Sequence, residues 1–213
     1  INIGFRSLEL AFPNATFPIG CTHEFFSTPQ NVASTSGFVA VLMSKIMQAG
    51  GAAIWISASR TVFPAALNRF GIDPDKIIFV DLKKEKDALY TIEEALKCKR
   101  LTTVIGEINQ ITFKVSRRLQ LAAEQSRVTG FLLRPELNVL TTIACVSRWR
   151  ITSLPSELND GMPGVGFTRW NVELLKIRNG KPGNWKVEWS SNCRKEIKEN
   201  ISSIQQDQKQ KAG

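Results

Sequence analysis

One histidine and four cysteines are the only imidazole and thiol ligands in the 213 residues. Cys21, Cys98, Cys145 and Cys193 lie far apart and form no CxxC pair, so a zinc cluster is not expected. Free thiols in a reducing cytosol are the expectation instead. No apolar run approaches the ~18 residues that span a bilayer. The opening stretch INIGFRSLEL lacks both an initiating Met and the basic-then-apolar layout of a signal peptide. A cytoplasmic chain with no membrane partner is the expectation. No Gly-x-Ser-x-Gly turn is present, and a Ser-His-Asp triad could pass only through His23. That residue opens a strand expected to be buried, so it reads as structural. Acidic residues are also outnumbered, 19 against 28 Lys and Arg, which leaves a net charge of +9. A basic surface suits polyanions or an acidic protein partner.

A core is available, because 43% of the residues are hydrophobic. That fraction excludes wholesale disorder. Strands are expected at His23–Phe26, Ala52–Ser57, Ile77–Val80, Thr103–Gly106 and Gly130–Leu133. They are short, rich in β-branched residues and apolar on both faces, as in a buried parallel sheet. Helical patterns run over Gly37–Ala49, Pro64–Phe70, Asp87–Cys98 and Phe113–Gln125. The first ends at Gly50-Gly51, and Gly71 follows the second. In the third, Leu89, Ile92 and Leu96 form one stripe. In the fourth, Val115, Leu119 and Ala122 face the sheet. This alternation predicts an α/β fold with right-handed crossovers. Beyond it, Thr142–Ser153 reads as a long strand and Leu154–Thr168 as a Gly/Pro-rich connection. Arg169–Arg178 and Trp185–Trp189 read as a hairpin about Asn-Gly-Lys-Pro-Gly. The tryptophans of that hairpin alternate onto one face and read as core. Residues 1–189 form the expected core domain. Residues 190–213 form a polar tail, frayed or with a short helix on Ile197, Ile201 and Ile204.

The segment from His23 to Ala49 has the layout strand, Ser/Thr/Gly loop, helix. A phosphate-binding loop occupies that place in P-loop ATPases, and Ser27, Thr28, Ser34, Thr35, Ser36 and Gly37 are its candidate residues. Phosphate binding of that kind needs a lysine, a hydroxyl and a carboxylate. No lysine occurs between Phe26 and Lys45. Gly106 stands where an acid is expected after Ile105, and Glu107 is expected on the opposite face. The strand Ala52–Ser57 runs into Ser-Ala-Ser-Arg with no acid at its tip. No cofactor is expected, and ATP hydrolysis is not.

Cations supply the remaining candidates. Lys176 and Arg178 follow the apolar face of the hairpin at i and i+2, so they are expected to project together beside the turn. A pair held in this way can reach a phosphate or carboxylate outside its own domain. Two solvated cations explain the same spacing. Arg134, with Arg148 and Arg150 either side of Trp149, is a candidate DNA contact. A half-buried strand with a wet face accounts equally for that pattern.

Taken together, these segments resemble the RecA-like P-loop NTPase fold: a mostly parallel sheet flanked by helices, C-terminal antiparallel strands and a degenerate phosphate loop. HEFF before the loop, AGG before AAIWIS, and VELLKIRNGKPG occur in the order of that fold. The chain is more specifically similar to the ImuA family from about Leu8 to Trp189. The segments that carry the likeness are HEFFST, WISASRTVFPAALNRFGIDPDKIIFVDL, VIGEI, SRRLQLAAEQSRVTGFLLR, LPSELNDGMPGVGF and RWNVELLKIRNGKPGNWKVEW. The resemblance implies a non-enzymatic accessory factor of SOS-induced, error-prone translesion repair. It implies RecA, an ImuB-like Y-family polymerase homologue and an error-prone replicative-type polymerase as partners. It places Lys176 and Arg178 where RecA-like hairpins reach the ATP of a neighbouring subunit. A divergent DNA-dependent ATPase, a DNA-binding module and a SulA-type division inhibitor are the alternatives.

Overall fold

Runs that are apolar on both faces can be buried only between two layers, and the inner strands are such runs. In the computed structural model, residues 1–58, 62–136, 142–157, 166–190 and 194–197 are described. The strands are β1 (Thr22–Ser27), β2 (Ala52–Ser57), β3 (Ile77–Asp81), β4 (Leu101–Glu107), β5 (Thr129–Pro135), β6 (Ser147–Leu154), β7 (Thr168–Ile177), β8 (Gly183–Trp189) and β9 (Arg194–Glu196). Among the described residues they form one mixed sheet in the order β3-β2-β4-β5-β1-β6-β7-β8-β9. The pairings from β3 to β6 are parallel. Those from β6 to β9 are antiparallel. The α/β class and both kinds of pairing agree with the sequence.

Among the described residues four α-helices accompany the sheet: α1 (Arg6–Glu9), α2 (Val32–Met47), α3 (Glu85–Lys97) and α4 (Phe113–Ser126). One core lies under α2 and the N-terminal segment, and contains Phe5, Phe17, Phe25, Phe38, Trp149 and Trp170. A second lies under α3 and α4 and is aliphatic, built on Ile92, Leu96, Val104, Leu119 and Leu132. Ring stacking ties the first core together, with Phe25 and Trp149 nearly parallel at 5.7 Å. No described helix is long and apolar enough to cross a membrane.

Three local features differ from the sequence reading. The expected strand from Thr142 begins only at Ser147, where pairing to β1 starts. The hairpin does not keep one alternation, because the β6–β7 register skips Leu175. This bulge turns Ile177 into the core with Trp170, Val172 and Leu174, and leaves Lys176 exposed. Finally, the sheet continues past residue 189 through β9. Its Glu196 Oε1 accepts the backbone N–H of Ser7 at 2.6 Å, tying this strand to the start of α1. The expected tail or helix beyond Ile197, and most of the Leu154–Thr168 connection, lie outside the described residues.

His23 is structural, as expected. Its Nε2–H donates to the Pro18 carbonyl at 3.0 Å. Its Nδ1 accepts from the Ser147 hydroxyl at 2.6 Å. The Ser147 oxygen in turn accepts the Trp149 indole N–H at 2.6 Å. The chain of bonds is complete only with a neutral ring. Burial pushes His23 down from 6.5 to about 3, against the raising effect of the Pro18 bond. Unfolding therefore takes up a proton between these values. The stability that depends on neutral His23 is complete above about pH 6.5 and falls by up to about 1.4 kcal/mol per pH unit toward pH 3. Urea unfolding followed from about pH 6.5 to 5 should show this slope, and His23→Gln should flatten it.

Candidate functional site

The carboxyl ends of parallel strands leave their crevice where neighbouring connections diverge to opposite sides. Here the crevice is a cleft of about 310 Å³. Its walls are Ser27 and Pro29 after β1, Val32, Thr35 and Ser36 on α2, Ala58 after β2, Glu107 to Asn109 after β4, and Leu133 to Pro135 on β5.

The expected phosphate loop is mostly helix. A single 3₁₀ turn, Pro29–Asn31, joins β1 to α2, which begins at Val32 rather than Gly37. Ser34, Thr35, Ser36 and Gly37 therefore sit in regular helix, Ser27 ends β1, and only Thr28 remains in the connection. The segment contains no residue with positive φ. A nest of converging N–H groups needs such residues, so the chain here cannot wrap a phosphate as a glycine-rich loop does. Gly37 gave the loop reading its strongest cue, but tertiary packing accounts for it. A Cβ at that position would meet Phe70 and Trp170, each at 3.3 Å. Asn31 does not cap its own helix. Its Oδ1 accepts the backbone N–H of Ser153 at 2.9 Å. Its Nδ2 donates to the Thr28 hydroxyl at 2.9 Å.

Glu107 corrects another expectation. It does lie on the face opposite Gly106, but that is the α2 face, on which the cleft opens. Its Oε1 accepts the Trp55 indole N–H at 2.7 Å. The cleft thus holds one carboxylate that the sequence reading had turned away from it. Parity along β4 carried the signal, once α2 was known to cover the face of Ile105. Thr35 Oγ1 is buried against the same cleft with no hydrogen-bond partner among the described residues. The tip of β2, residues 59–61, lies outside the described residues.

The three arginines expected at a DNA contact are engaged with carboxylates. Arg134 Nη1 donates to Glu24 Oε1 at 2.5 Å, and the arginine side chain is only 2% exposed. It cannot reach a nucleic-acid phosphate. Arg148 Nε donates to the other oxygen, Glu24 Oε2, at 2.6 Å. The Phe26 ring lies between the two guanidinium groups, with centroid distances of 5.5 and 5.4 Å. Arg150 pairs with Glu136 at 2.5 Å and Glu173 at 3.2 Å. The half-buried strand with one polar face, the plainer of the two readings, describes β6.

Lys176 and Arg178 lie at the other end of the sheet from the cleft. Arg178 N–H donates to the Val146 carbonyl, just before β6 starts. Lys176 is exposed, and Arg178 Nη1 is 3.4 Å from Glu124 Oε1 at the end of α4. The hairpin pair expected to project together is thus held beside the turn, with one member steered by α4. Cys21 and Cys145 are buried, and burial pushes each thiol up to about 12, so neither is a nucleophile. No group of metal-ligating side chains occurs among the described residues.

No family model matches the chain. The chain is similar to Protein ImuA of Caulobacter vibrioides strain NA1000, 29% identical over 198 residues that cover 87% of this chain and 81% of that one. It is also similar to the cell division inhibitor SulA of Photorhabdus laumondii, 27% identical over 45% of this chain and 56% of that one. Among solved structures, SulA from Pseudomonas aeruginosa aligns with a TM-score of 0.47 and 18% identity, over 56% of this chain and all of that one.

Removing the Glu24 carboxylate would leave two arginines without their shared partner, one of them sealed. Glu24→Gln should cost about 3–5 kcal/mol, read as a lower urea midpoint at unchanged slope. Replacing Glu24, Arg134 and Arg148 together by Leu and Met should restore most of that loss.

Proposed function

We propose that this chain, a homologue of ImuA, is a non-catalytic accessory protein of error-prone DNA damage tolerance that works by binding protein partners on a degenerate RecA-like domain. The observation that carries the non-catalytic reading is the early start of α2 at Val32. It removes the loop that would hold a triphosphate, in addition to the missing lysine. The RecA-like assignment is supported by the parallel sheet, by the cleft after β1 and by the appended hairpin. SOS-induced translesion synthesis is the setting, with RecA, an ImuB-type polymerase homologue and an error-prone replicative-type polymerase as partners.

Within this reading, the hairpin carrying Lys176 and Arg178 docks on the nucleotide side of a RecA protomer. Its place at the end opposite the cleft supports this, because a domain that meets a neighbour's cleft must do so with its other end. A unit without its own triphosphate site would then end a filament rather than extend it. Truncating charged contacts at an interface costs about 2–5 kcal/mol. The double substitution Lys176→Ala and Arg178→Ala should therefore weaken association with RecA by at least about tenfold in interferometry. Unchanged affinity would sink the docking geometry.

A second reading, weak nucleotide binding, draws on Glu107 and the partnerless Thr35 hydroxyl in the cleft. Titration with a fluorescent ATP analogue, with and without Mg²⁺, separates the two. The accessory reading expects no saturable signal in either condition.

A further inference from the structure

The strand-start end of the sheet, remote from the cleft, joins segments that are far apart in sequence. The hairpin turn packs on the N-terminal segment, with the Lys181 N–H donating to the Ala11 carbonyl at 2.9 Å. Val146 and Arg178 link the hairpin to the start of β1 through backbone bonds to Thr22 and Val146. On the far side, Gly20 sits against Arg127, so close that a Cβ added to Gly20 would lie 3.2 Å from the Arg127 Cα. Arg127 is the left-handed cap of α4, three residues after Glu124. These segments span the starts of β5, β1 and β6 and the end of β7, three strand spacings or about 14 Å.

Two properties coincide on this end. Arg127, Lys176, Arg178 and Lys181 are all exposed, and Glu124 pairs with Arg178. Two aliphatic side chains stand among them, Leu10 at 66% and Ile19 at 47% exposed. Leu10 adjoins the hairpin turn through Ala11, and Ile19 adjoins Arg127 through Gly20. Exposed aliphatics rimmed by one sign of charge mark a protein interface. A nucleic-acid strand would call for aromatic stacking platforms between the cations. The exposed aromatics Phe63, Tyr90, Phe113 and Phe167 belong to other segments. A second copy of this chain, itself at +9, would be repelled.

We propose that Leu10, Ile19, Arg127, Lys176, Arg178 and Lys181 form a docking surface for an acidic, leucine-containing segment of a protein partner. This rests on the accessory reading and extends it from two hairpin cations to a surface with a stated ligand chemistry. The cations meet the partner's carboxylates, while Leu10 and Ile19 receive its aliphatic side chains.

The test uses the full chain and a fluorescein-labelled peptide of repeated Glu-Glu-Leu units, with an all-Glu peptide and oligo(dT) as controls, read by anisotropy. The Glu-Glu-Leu peptide should bind in preference to both controls. Arg127→Glu with Lys181→Glu should weaken it by at least about tenfold. Leu10→Ser with Ile19→Ser should reduce it to the level of the all-Glu peptide. All four side chains are exposed, and circular dichroism checks that the variants stay folded. No binding, equal binding by the variants, or preference for oligo(dT) that the charge reversals abolish would each overturn the proposal. Association with RecA is measured on Lys176→Ala/Arg178→Ala in parallel. Its loss with no Glu-Glu-Leu binding defeats this inference alone, and its persistence defeats the hairpin docking alone.

Discussion

A single carboxylate, Glu24, holds the middle of the sheet. It sits on β1 and reaches one arginine on each neighbouring strand, Arg134 on β5 and Arg148 on β6. The three strands are adjacent, yet the chain visits β2, β3, β4 and β5 between β1 and β6. Hydrogen bonds within the ladder do not select which strand lies beside which. A buried acid with two cationic partners does, because any other neighbour would leave a charge in a low-dielectric interior without compensation. The site also marks a change of cover. α3 and α4 shield the sheet as far as β1. Beyond that, the polar network continues through Arg150, Glu136 and Glu173, and the sheet meets water through ion pairs instead of a helix.

The inner strands were legible because both-face burial leaves an unambiguous run. The predicted Ala52–Ser57 coincides with β2 at both ends. The hairpin tryptophans were legible from alternation, and Trp170 and Trp189 are buried. What failed had tertiary causes. Gly37 reads as a loop residue, yet it lies in α2 because two aromatic rings occupy the space of a side chain. The bulge at Leu175 inserts one residue into a regular pattern, and no local feature of RWNVELLKIR announces it. Arg134 looked like a ligand for phosphate because its carboxylate partner is 110 residues away in the chain. A pairing of that separation has no spacing signature.

The two ends of the sheet have different characters. At the strand ends, the cleft gathers hydroxyls, one carboxylate and a sealed arginine. At the strand starts, the segments that carry Arg127, Arg178 and Lys181 also expose Leu10 and Ile19. Separation of the two by the length of the strands lets a change at one end leave the other intact.

Asn31 sets how the β1–α2 connection sits against the sheet. By holding Thr28 on one side and Ser153 on the other, it fastens the β1–α2 connection to the end of β6. A lysine grafted at Ser34, Thr35 or Ser36 would ride on a helical turn rather than curl around a ligand. A loop in that place would require α2 to unwind its first turns, Asn31 to release β6, and Phe70 and Trp170 to give up their contact with Gly37. The helical start of α2 is therefore written into the packing of three segments, and no single substitution would turn it into a loop that could wrap a phosphate.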